Sequence, residues 1–307
     1  SVSASSTHGG EWLVFIDADT EVHKAATFSL ACHAELHPES LMIIPDSAEK
    51  SGDLFTKIRA NPPWNLDLIL GGEGVGPLLA IHNSVISGIV ETGEDLSRTK
   101  NLTEIALTAY DYLGEKAISR LPLVLSATSK QSEQTLLDTT IMEYLREVDD
   151  EIFVSQGLCP QTRRIHWPIA SQNPKVSILI PSKNRSDLLE RCLNGIYESS
   201  DYSNFEVIVI DHQSNEKDAL ELLEKIDKRD DTKVLEFVGN FNFSLMNNIA
   251  AKSSTGDFLC LLNNDIEVIN SDWIQELVSH SSREHVGVVG ALLRYPDKSI
   301  QHAGLSP

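Results

Sequence analysis

Apolar and polar residues alternate in blocks along the second half of the chain. Four apolar runs have the length of a strand: VSILIP from 176, FEVIVID from 205, KVLEFV from 233 and DFLCLL from 257. Between them, apolar residues recur every three or four positions, which predicts helices over 186–198, 218–228 and 244–252. Ser186 stands where the first helix would take its N-cap. Strands that alternate with helices indicate an α/β fold with a mostly parallel, Rossmann-like sheet.

The first half of the chain has a less regular pattern. It predicts helices over 24–35 and 102–113 and strands over 41–47 and 78–83, and the segment LPLVLSA over 121–127 closes this half. A stretch rich in Pro and Gly over 61–77 interrupts these elements, and Pro160 and Pro168 mark a later break. The pattern therefore divides the chain into residues 1–150, a linker over 151–172, and residues 173–307.

One segment of the chain occurs twice. Residues 10–22, GEWLVFIDADTEV, align without a gap on residues 256–268, GDFLCLLNNDIEV, at an offset of 246 residues. That offset has the size of a domain and exceeds the period of a solenoid, so it predicts two tandem, partial copies of one domain. Each copy is an apolar run that ends in acidic or amide residues. This form is typical of a buried strand of a parallel sheet whose carboxyl end reaches the ligand crevice.

Composition narrows the class of function. With 41% hydrophobic and 23% charged residues, the 307-residue chain has the composition of a packed globular protein. A formal charge of -20 argues against a nucleic-acid surface, which requires clustered Lys and Arg. The same charge is compatible with an acidic pocket that holds a cation on a nucleotide, and solubility alone is the alternative explanation.

Cysteine spacing and hydropathy favour the cytoplasm. The four cysteines form no CxxC pair, which fits neither a zinc cluster nor a disulfide framework. No apolar run reaches the roughly 20 residues that span a bilayer. The start, SVSASSTHGGEW, lacks the basic and apolar regions of a signal peptide. We therefore expect a cytoplasmic chain that associates with a membrane only through a longer parent protein or a partner.

Five segments of the second half, in this order and spacing, resemble those of family 2 glycosyltransferases. They are VSILIPSKNR, VIVIDHQSN, FNFSLMNN, GDFLCLLNNDIEV and RYPDKSIQHAG. The likeness is to bacterial enzymes of cell-surface polysaccharide synthesis, including rhamnosyl-transferring ones. Residues 10–125 resemble, more weakly, the carboxyl-terminal half of the same fold, through IDADTEV and PPWNLDLILGGEGVGPLLAI. The resemblance implies a type A glycosyltransferase (GT-A) fold in two partial units: the end of a first, degenerate unit over 1–150 and the donor-binding start of a second over 173–307.

The resemblance also implies which residues bind the nucleotide sugar. In the family, the first strand and the loop after it hold the nucleotide, and the matching residues here are Pro181, Ser182, Asn184 and Arg185. Asp211 matches a carboxylate that accepts a hydrogen bond from a pyrimidine base. Asn247 and Asn248 match positions on a helix that faces the nucleotide. For the strand-end residues, a simple turn with a helix cap is the structural alternative.

Asn263-Asn264-Asp265 stands at the place of the family's DxD motif, whose side chains hold Mn²⁺ or Mg²⁺ on the diphosphate. The resemblance implies Asp265 as the main metal ligand with Asn263, and Asn264 as a contact of the sugar or ribose. An Asx turn at the strand end is the alternative. In the first unit, Asp17 and Asp19 are the matching metal pair.

The sequence does not identify the general base. In the family it is an Asp of an acidic motif, which for the second unit we expect beyond Pro307. In the first unit the matching position is Leu102, with Glu104 two residues later, so this unit is expected to be degenerate. An acidic run before it is interpreted as a solvated loop and contains Glu91, Glu94 and Asp95. His302 is a weak site candidate without an assigned role.

These features predict a nucleotide-sugar-dependent glycosyltransferase, here as a fragment. The resemblance implies inverting transfer of a hexosyl or rhamnosyl group from a UDP- or dTDP-sugar to a glycan or lipid-linked acceptor, in the cytoplasm or at the inner face of the membrane. No nucleic-acid partner is expected. The alternative is a noncatalytic nucleotide-binding or scaffolding unit of a polysaccharide-synthesis complex, which the Leu at the base position favours. A nucleotidyltransferase is disfavoured because no triphosphate-binding loop with Gly and Lys is found.

Overall fold

The computed structural model describes residues 10–52, 54–72, 74–129, 134–169 and 173–304. The chain divides into two compact units, residues 1–166 and 167–307. Each unit has its own sheet and its own helices, so the predicted α/β class is confirmed. Residues 1–9, which contain most of the segment tested for a signal peptide, lie outside the described part of the chain. Among the described residues, no helix is both long and apolar enough to cross a membrane.

Six strands of the first unit form one sheet. They are β1 (Trp12–Ile16), β2 (Thr20–Val22), β3 (Met42–Ser51), β4 (Leu54–Arg59), β5 (Leu78–His82) and β6 (Ile118–Thr128). The strand order is β1-β5-β3-β6-β2, with β4 beside β3. The β3–β6 pair is parallel, whereas β1–β5, β3–β5, β3–β4 and β2–β6 are antiparallel. A mostly parallel sheet is therefore wrong for this unit. Part of the reason is that only two residues separate β3 from β4, a connection too short for parallel pairing of these two strands.

Helices of the first unit pack on this sheet and extend its core. They are α1 (Ala26–Leu36), α2 (Leu66–Gly71), α3 (Asn83–Glu91), α4 (Leu102–Leu113) and α5 (Gln134–Val148), with 3₁₀ helices at Leu96–Arg98 and Glu115–Ala117. The predicted helix over 102–113 is confirmed, and it buries Ile105 and Ala106 against Leu79 and Ile81 of β5. The pattern missed α3, because its sequence NSVISGIVE is rich in β-branched residues, which have low helix propensity.

A hairpin occupies part of the predicted linker. It is formed by β7 (Phe153–Gln156) and β8 (Arg163–His166), which pair antiparallel. Arg163 is buried, and its Nε donates to Oδ1 of Asp138 at 2.7 Å. The same guanidinium donates to the carbonyls of Leu70 and Gly72. These bonds attach the hairpin to α2 and α5, so it belongs to the first unit.

Four strands of the second unit form a fully parallel sheet. The strands of this unit are β9 (Val176–Ser182), β10 (Phe205–Asp211), β11 (Thr232–Glu236), β12 (Phe258–Leu261), β13 (Leu293–Arg294) and β14 (Ile300–His302). Its helices are α6 (Ser186–Glu198), α7 (Lys217–Ile226), α8 (Phe243–Ser253) and α9 (Trp273–Ser281). The parallel sheet has the order β11-β10-β9-β12, and β13 and β14 form a separate pair. The predicted GT-A fold, with its mostly parallel sheet, is therefore confirmed in this unit.

Both faces of the parallel sheet are covered, because alternate residues of its strands point to opposite sides. Ile178 and Ile180 of β9 pack on one side with residues of α6, α7 and α9. Leu179 packs on the other side with Met246 and Ala250 of α8. Near-continuous apolar strands such as VSILI are typical of sheets buried in this way.

The winding of the chain creates a crevice at one edge of this sheet. From β9 the chain passes through α6 to β10 and through α7 to β11, moving in one direction. After α8 it returns to place β12 on the other side of β9. Ligands of open α/β sheets bind at such a reversal, outside the carboxyl ends of the strands. The carboxyl ends of β9 and β12 are therefore where functional side chains are expected.

Candidate functional site

Ser182 joins the ends of three strands at the reversal of strand order. It is the last residue of β9, and its side chain is buried. Its hydroxyl accepts a hydrogen bond from Nδ2 of Asn264 at 3.0 Å, just after β12. Its carbonyl accepts one from the backbone N–H of His212 at 2.8 Å, just after β10. The residues that follow these strands therefore line one crevice.

Asp211 ends β10 and organises the turn that follows. It is buried, and its Oδ1 accepts a hydrogen bond from the Ser214 hydroxyl at 2.5 Å, with the Ser214 backbone N–H 3.2 Å away. The same hydroxyl accepts a bond from the backbone N–H of Asn184 at 2.7 Å, so the turn is tied to the loop after β9. A carboxylate offers about four acceptor positions. Asp211 is thus a turn residue that keeps acceptor capacity for a ligand N–H.

Asn184 acts as a clamp between two loops. Its backbone is left-handed, with φ of 52°. Its Oδ1 accepts hydrogen bonds from the backbone N–H groups of Asn215 and Glu216 at 2.9 and 3.1 Å. Asn tolerates this backbone conformation better than most residues. The side chain predicted to contact the nucleotide is therefore occupied in holding the β10 turn beside the β9 loop.

Arg185 precedes α6 and is its N-cap residue, with φ of 47° and no capping bond from its side chain. The predicted cap by Ser186 is wrong, because Ser186 is already the first helical residue. Nε and Nη2 of Arg185 donate to the two carboxylate oxygens of Asp187, each at 3.0 Å. This pairing, with further contributions that include Asp265, raises the pKa of Arg185, and it lowers the pKa of Asp187. The guanidinium is therefore an exposed cation near the acidic end of β12.

The residues after β12 present oxygen donors to the crevice. Asn263 and Asp265 are exposed, and Asn264 is half-buried. The Cys192 thiol on α6 lies 3.7 Å from the Asn263 carbonyl. Burial raises the pKa of Cys192 to about 11, so the thiol stays protonated and can donate to this carbonyl. The strand end is thereby held while its side chains remain accessible.

The donors at this strand end fit a hard divalent cation. Among the described residues, no three His, Cys, Asp or Glu side chains converge on a preformed metal site. An ion such as Mg²⁺ needs only one or two carboxylates from the protein when a phosphate ligand and waters complete its shell. Asp265 supplies a carboxylate and Asn263 an amide oxygen. This donor set suits an ion that arrives with a diphosphate.

The two asparagines of α8 have different environments. Asn247 is 6% exposed, and its Nδ2 donates to the Phe243 carbonyl one turn earlier at 2.9 Å. Its Oδ1 is buried and has no hydrogen-bond partner in the described part of the chain. Asn248 is exposed. The structure therefore leaves Asn248 accessible to a ligand and encloses Asn247 within the unit.

His302 belongs to a strand outside the parallel sheet. It is half-buried in β14, opposite Leu293 of β13. This two-stranded sheet is separate from the parallel sheet. Pro181, in contrast, is half-buried in β9 next to Ser182. The pairing of β9 with β10 places Pro181 beside the crevice. No described strand pairing does so for His302.

The first unit keeps an accessible acidic strand end. Asp17 and Asp19 follow β1 and are both exposed. The backbone N–H of Asp17 donates to the Pro77 carbonyl at 3.0 Å, and Asp19 has a left-handed φ of 64°. Partial desolvation raises the pKa of Asp17 although its side chain still reaches solvent. A nearby cation would have the opposite effect on this carboxyl.

The position that matches the family's general base is structural. Leu102 is 2% exposed and belongs to the core of the first unit. Asn101 Oδ1 accepts from the Glu104 backbone N–H at 3.0 Å, and Glu104 Oε2 accepts from the Lys100 N–H at 2.7 Å. The first bond caps α4 at Asn101, and the second holds the residue before that cap. The acidic run before it is exposed, but Glu91 is the last residue of α3, so the predicted loop holds only Glu94 and Asp95. Asp95 pairs with Arg98 at 3.1 Å.

Two residues that shape the crevice were not identified from the sequence. Ser214 connects Asp211 to Asn184, and its spacing of three residues from Asp211 is the signal of an Asx turn. His212 is buried, and its Nε2 lies 2.9 Å from the Gly239 carbonyl. Because a carbonyl can only accept, this nitrogen carries a proton. No sequence signal identifies the His212 contact, since its partner lies in a distant loop.

Comparisons with known proteins identify relatives of both halves. Residues 177–303 match the family model described as Glycosyl transferase family 2. The uncharacterized protein y4gI of Sinorhizobium fredii is 30% identical over 99% of this chain and 35% of its own length. The O-antigen biosynthesis protein RfbC of Myxococcus xanthus is 27% identical over 96% of this chain and 24% of its own. The chain thus spans about a third and about a quarter of these relatives.

Solved structures that are similar over part of the chain include the mannosyltransferase PcManGT from Pyrobaculum calidifontis in complex with GDP-Man and Mn²⁺. The identity is 22% and the TM-score 0.37, and the match covers 43% of this chain and 39% of that one.

Proposed function

We propose that the second unit, which matches the model of glycosyl transferase family 2 over residues 177–303, binds a nucleotide-diphosphate sugar as members of that family do. The observation that carries this proposal is the joining of three parallel strand ends. Ser182 accepts hydrogen bonds from both Asn264 and His212, which gathers the ends of β9, β10 and β12 into one crevice. A crevice of this kind, at a reversal of strand order, is where open α/β sheets bind nucleotides.

Each side of the crevice has a distinct task in this proposal. Asp211 accepts a hydrogen bond from the N–H of a pyrimidine base, in addition to its bonds from Ser214. Arg185 exchanges part of its pairing with Asp187 for an oxygen of the diphosphate, since guanidinium groups bind phosphate with two parallel hydrogen bonds. Asn264 contacts the ribose or the sugar. Pro181 and Asn248 border the nucleotide.

Asp265, with Asn263, would hold Mn²⁺ or Mg²⁺ against the diphosphate. Such an ion supplies charge neutralisation for the departing nucleoside diphosphate. Asp265 is exposed and therefore free of the core packing that would restrict its approach to a ligand. Its charge also acts on Arg185, so anion-binding and cation-binding groups lie close to each other. This juxtaposition suits a metal–diphosphate complex, which presents both charges.

In the full-length protein, the sugar passes from the nucleotide to a hydroxyl of a glycan or lipid-linked acceptor. Direct attack on the anomeric carbon inverts its configuration, and the hydroxyl proton must pass to a base. No base is assigned among the described residues of the second unit. We therefore expect this chain to bind the nucleotide, with transfer confined to the full-length protein. Surface polysaccharide synthesis is proposed as the setting, supported by the O-antigen biosynthesis relative.

We also propose that the two units are partial copies of one domain, the carboxyl-terminal part over 1–150 and the amino-terminal part over 173–307. Of the predicted linker over 151–172, the β7–β8 hairpin belongs to the first unit. Strands β1 and β12 carry the two copies of the repeated segment, and each lies at the end of its sheet. In a complete domain, β1 and β12 would be the same strand. That strand would pair with β9 on one side and with β5 on the other. The first copy is degenerate in this proposal, because Leu102 occupies the base position.

A noncatalytic nucleotide-binding or scaffolding role is the second candidate. The observation in its favour is the use of Leu102 in the core and of Glu104 in the cap of α4. A leucine side chain cannot take a proton, and the Glu104 carboxylate already accepts a hydrogen bond at the helix start. Sugar transfer by the full-length protein from a UDP- or dTDP-sugar would exclude this second candidate.

Titration calorimetry of this chain tests the donor site. We expect UDP or dTDP to bind in the presence of Mn²⁺ and to lose affinity when the metal is chelated. Absence of binding to both nucleotides would contradict the proposal. Asp211→Ala should weaken pyrimidine nucleotides roughly tenfold relative to purine ones, because a hydrogen bond to a charged group contributes about 1.5–3 kcal/mol. An equal loss for both classes would instead indicate a collapsed turn at Ser214.

A further inference from the structure

An exposed aromatic ring lies beside the end of β10. Phe241 is 66% exposed, although burial of a Phe side chain is normally favourable. Its ring centroid is 5.7 Å from that of His212, with 49° between the ring planes. His212 directly follows Asp211, the residue that accepts from the base in the proposed function. The ring and the carboxylate are therefore neighbours at the same strand end.

The loop that carries Phe241 is held in place by several contacts. Its start is fixed by the backbone N–H of Phe237, which donates to the Asp211 carbonyl at 2.8 Å. Its middle is fixed at Gly239, whose carbonyl accepts from His212 Nε2 at 2.9 Å. Gly239 has φ of 134°, a conformation that favours glycine, so the chain turns sharply there. The loop that carries Phe241 is thus held by hydrogen bonds to Asp211 and His212.

An aromatic ring and a hydrogen-bond acceptor at one site are what a nucleobase requires. Every base has a flat face that stacks on an aromatic ring, and an edge that carries donors and acceptors. Asp211 is buried and would accept a hydrogen bond from the edge of the base. The side chain of Phe241 is largely exposed and could contact the face of the base. A protein partner would also cover exposed apolar residues of this loop, but it would not need an acceptor such as Asp211 beside the ring.

We propose that Phe241 is the platform on which the base of the nucleotide stacks while Asp211 accepts from its edge. This inference rests on the proposed function, since it assumes that the crevice binds a nucleoside diphosphate. His212 contacts the Phe241 ring and is a positioning residue, because its Nε2–H holds the loop at Gly239. The platform contributes affinity for the base and none for the diphosphate.

Calorimetry with Phe241→Ala separates these contributions. UDP with Mn²⁺ should bind about tenfold more weakly than to the parent chain, which corresponds to about 1.4 kcal/mol. Inorganic pyrophosphate with Mn²⁺ should bind as before. Val238→Ala is the matched control, since Val238 is 68% exposed in the same loop but carries no ring, and it should bind UDP normally. Phe241→Trp should keep the affinity, and its added fluorescence should be quenched by UDP and not by pyrophosphate.

Three outcomes would overturn the platform. UDP affinity unchanged in Phe241→Ala would show that the base does not stack on this ring, and would leave the proposed donor site intact. An equal loss for UDP and pyrophosphate would show that the substitution disturbs the whole crevice. Failure of the parent chain to bind any nucleotide would overturn the donor site and the platform together.

Discussion

The two copies of the repeated segment lie in different surroundings, although their sequences predict the same strand. β1 pairs antiparallel with β5, whereas β12 pairs parallel with β9. Phe15 of β1 and Leu261 of β12 occupy the same position of the repeat, yet Phe15 is 8% exposed and Leu261 58% exposed. The expectation of a buried parallel strand is therefore wrong for β1 and only half correct for β12. An apolar run specifies a strand, while the neighbouring segments decide its pairing and its burial.

The chemistry of the two strand ends differs as well. The first copy has two carboxylates, Asp17 and Asp19, and the second has one carboxylate, Asp265, after two amides. The second copy lies beside Ser182 and Asp211, which belong to strands that precede it in the chain. The first copy, in contrast, pairs with β5, a strand that follows it in the chain. If the proposal is correct, acidic residues alone are insufficient, and nucleotide binding requires the β9 and β10 ends.

The sharpest test of this comparison removes the same residue from each copy. Asp265→Ala should abolish Mn²⁺-dependent binding of UDP or dTDP, because it deletes the main proposed metal ligand. Asp19→Ala, at the equivalent position of the first copy, should leave that binding unchanged. Both residues are exposed, so the folded chain should persist. Calorimetry with and without the metal measures the effect, and the metal assignment fails if Asp265→Ala binds as the parent chain does.

A second test concerns the residue at the base position of the first unit. Leu102→Asp restores an acid there but places a charge in a core site that is 2% exposed. Large-to-small changes at such sites cost about 2–5 kcal/mol, and a buried charge costs more. We expect at least about 3 kcal/mol of lost stability in urea unfolding, more than for Leu102→Ala, and no gain of sugar transfer. A fully stable Leu102→Asp variant would show that the position is open to solvent.

The sequence predicts the second unit much better than the first. In the second unit, apolar runs buried on both faces and amphipathic helices with strong periodicity place β9, β10 and α6 within a residue or two. In the first unit, pairing is mixed and long-range, and β-branched residues of α3 have strand propensity. The candidate residues at strand ends could be predicted, because ligands of open α/β sheets bind at the carboxyl ends of the strands. The bonds of Asn184 and the exposure of Phe241 depend on loops that periodicity does not describe.

A third test uses the glycines that begin the two copies. A Cβ at Gly256 would lie 2.6 Å from the backbone N of Ser177 and 2.8 Å from the Lys175 carbonyl, so the backbone must shift. A Cβ at Gly10 would have Trp12 O at 3.6 Å, an ordinary contact. Gly256→Ala should therefore cost about 1–3 kcal/mol. Gly10→Ala should change stability by less than about 0.5 kcal/mol. Equal effects in thermal unfolding would mean that the two copies are packed alike.

The smallest expected effect comes from a change in a polar network at the amino ends of β9 and β10. Among the described residues beside β1, the structure shows no counterpart of this network. Oε1 of Glu206 accepts from the Ser177 hydroxyl at 2.6 Å and from the Thr255 backbone N–H at 2.6 Å. Its Oε2 lies 3.3 Å from Nζ of Lys175. Desolvation alone would raise the pKa of Glu206, but these hydrogen bonds outweigh it and lower the pKa from 4.5 to about 2.

The network therefore makes the second unit sensitive to acid. Because the folded-state pKa lies below the unfolded value, the carboxylate stabilises the fold above pH 4.5, and this stabilisation is lost as the pH falls towards 2. Glu206→Gln keeps an acceptor but removes the charge, so it should cost about 1 kcal/mol at neutral pH. The difference from the parent chain should shrink as the pH approaches about 3, since protonation then removes the same charge from Glu206. Glu224→Gln, which removes an exposed carboxylate paired with Lys228, should differ from the parent chain much less at every pH, because solvent screens that pair. Urea unfolding across this range measures the effect, and a difference independent of pH would show that charge on Glu206 does not hold the three strands together.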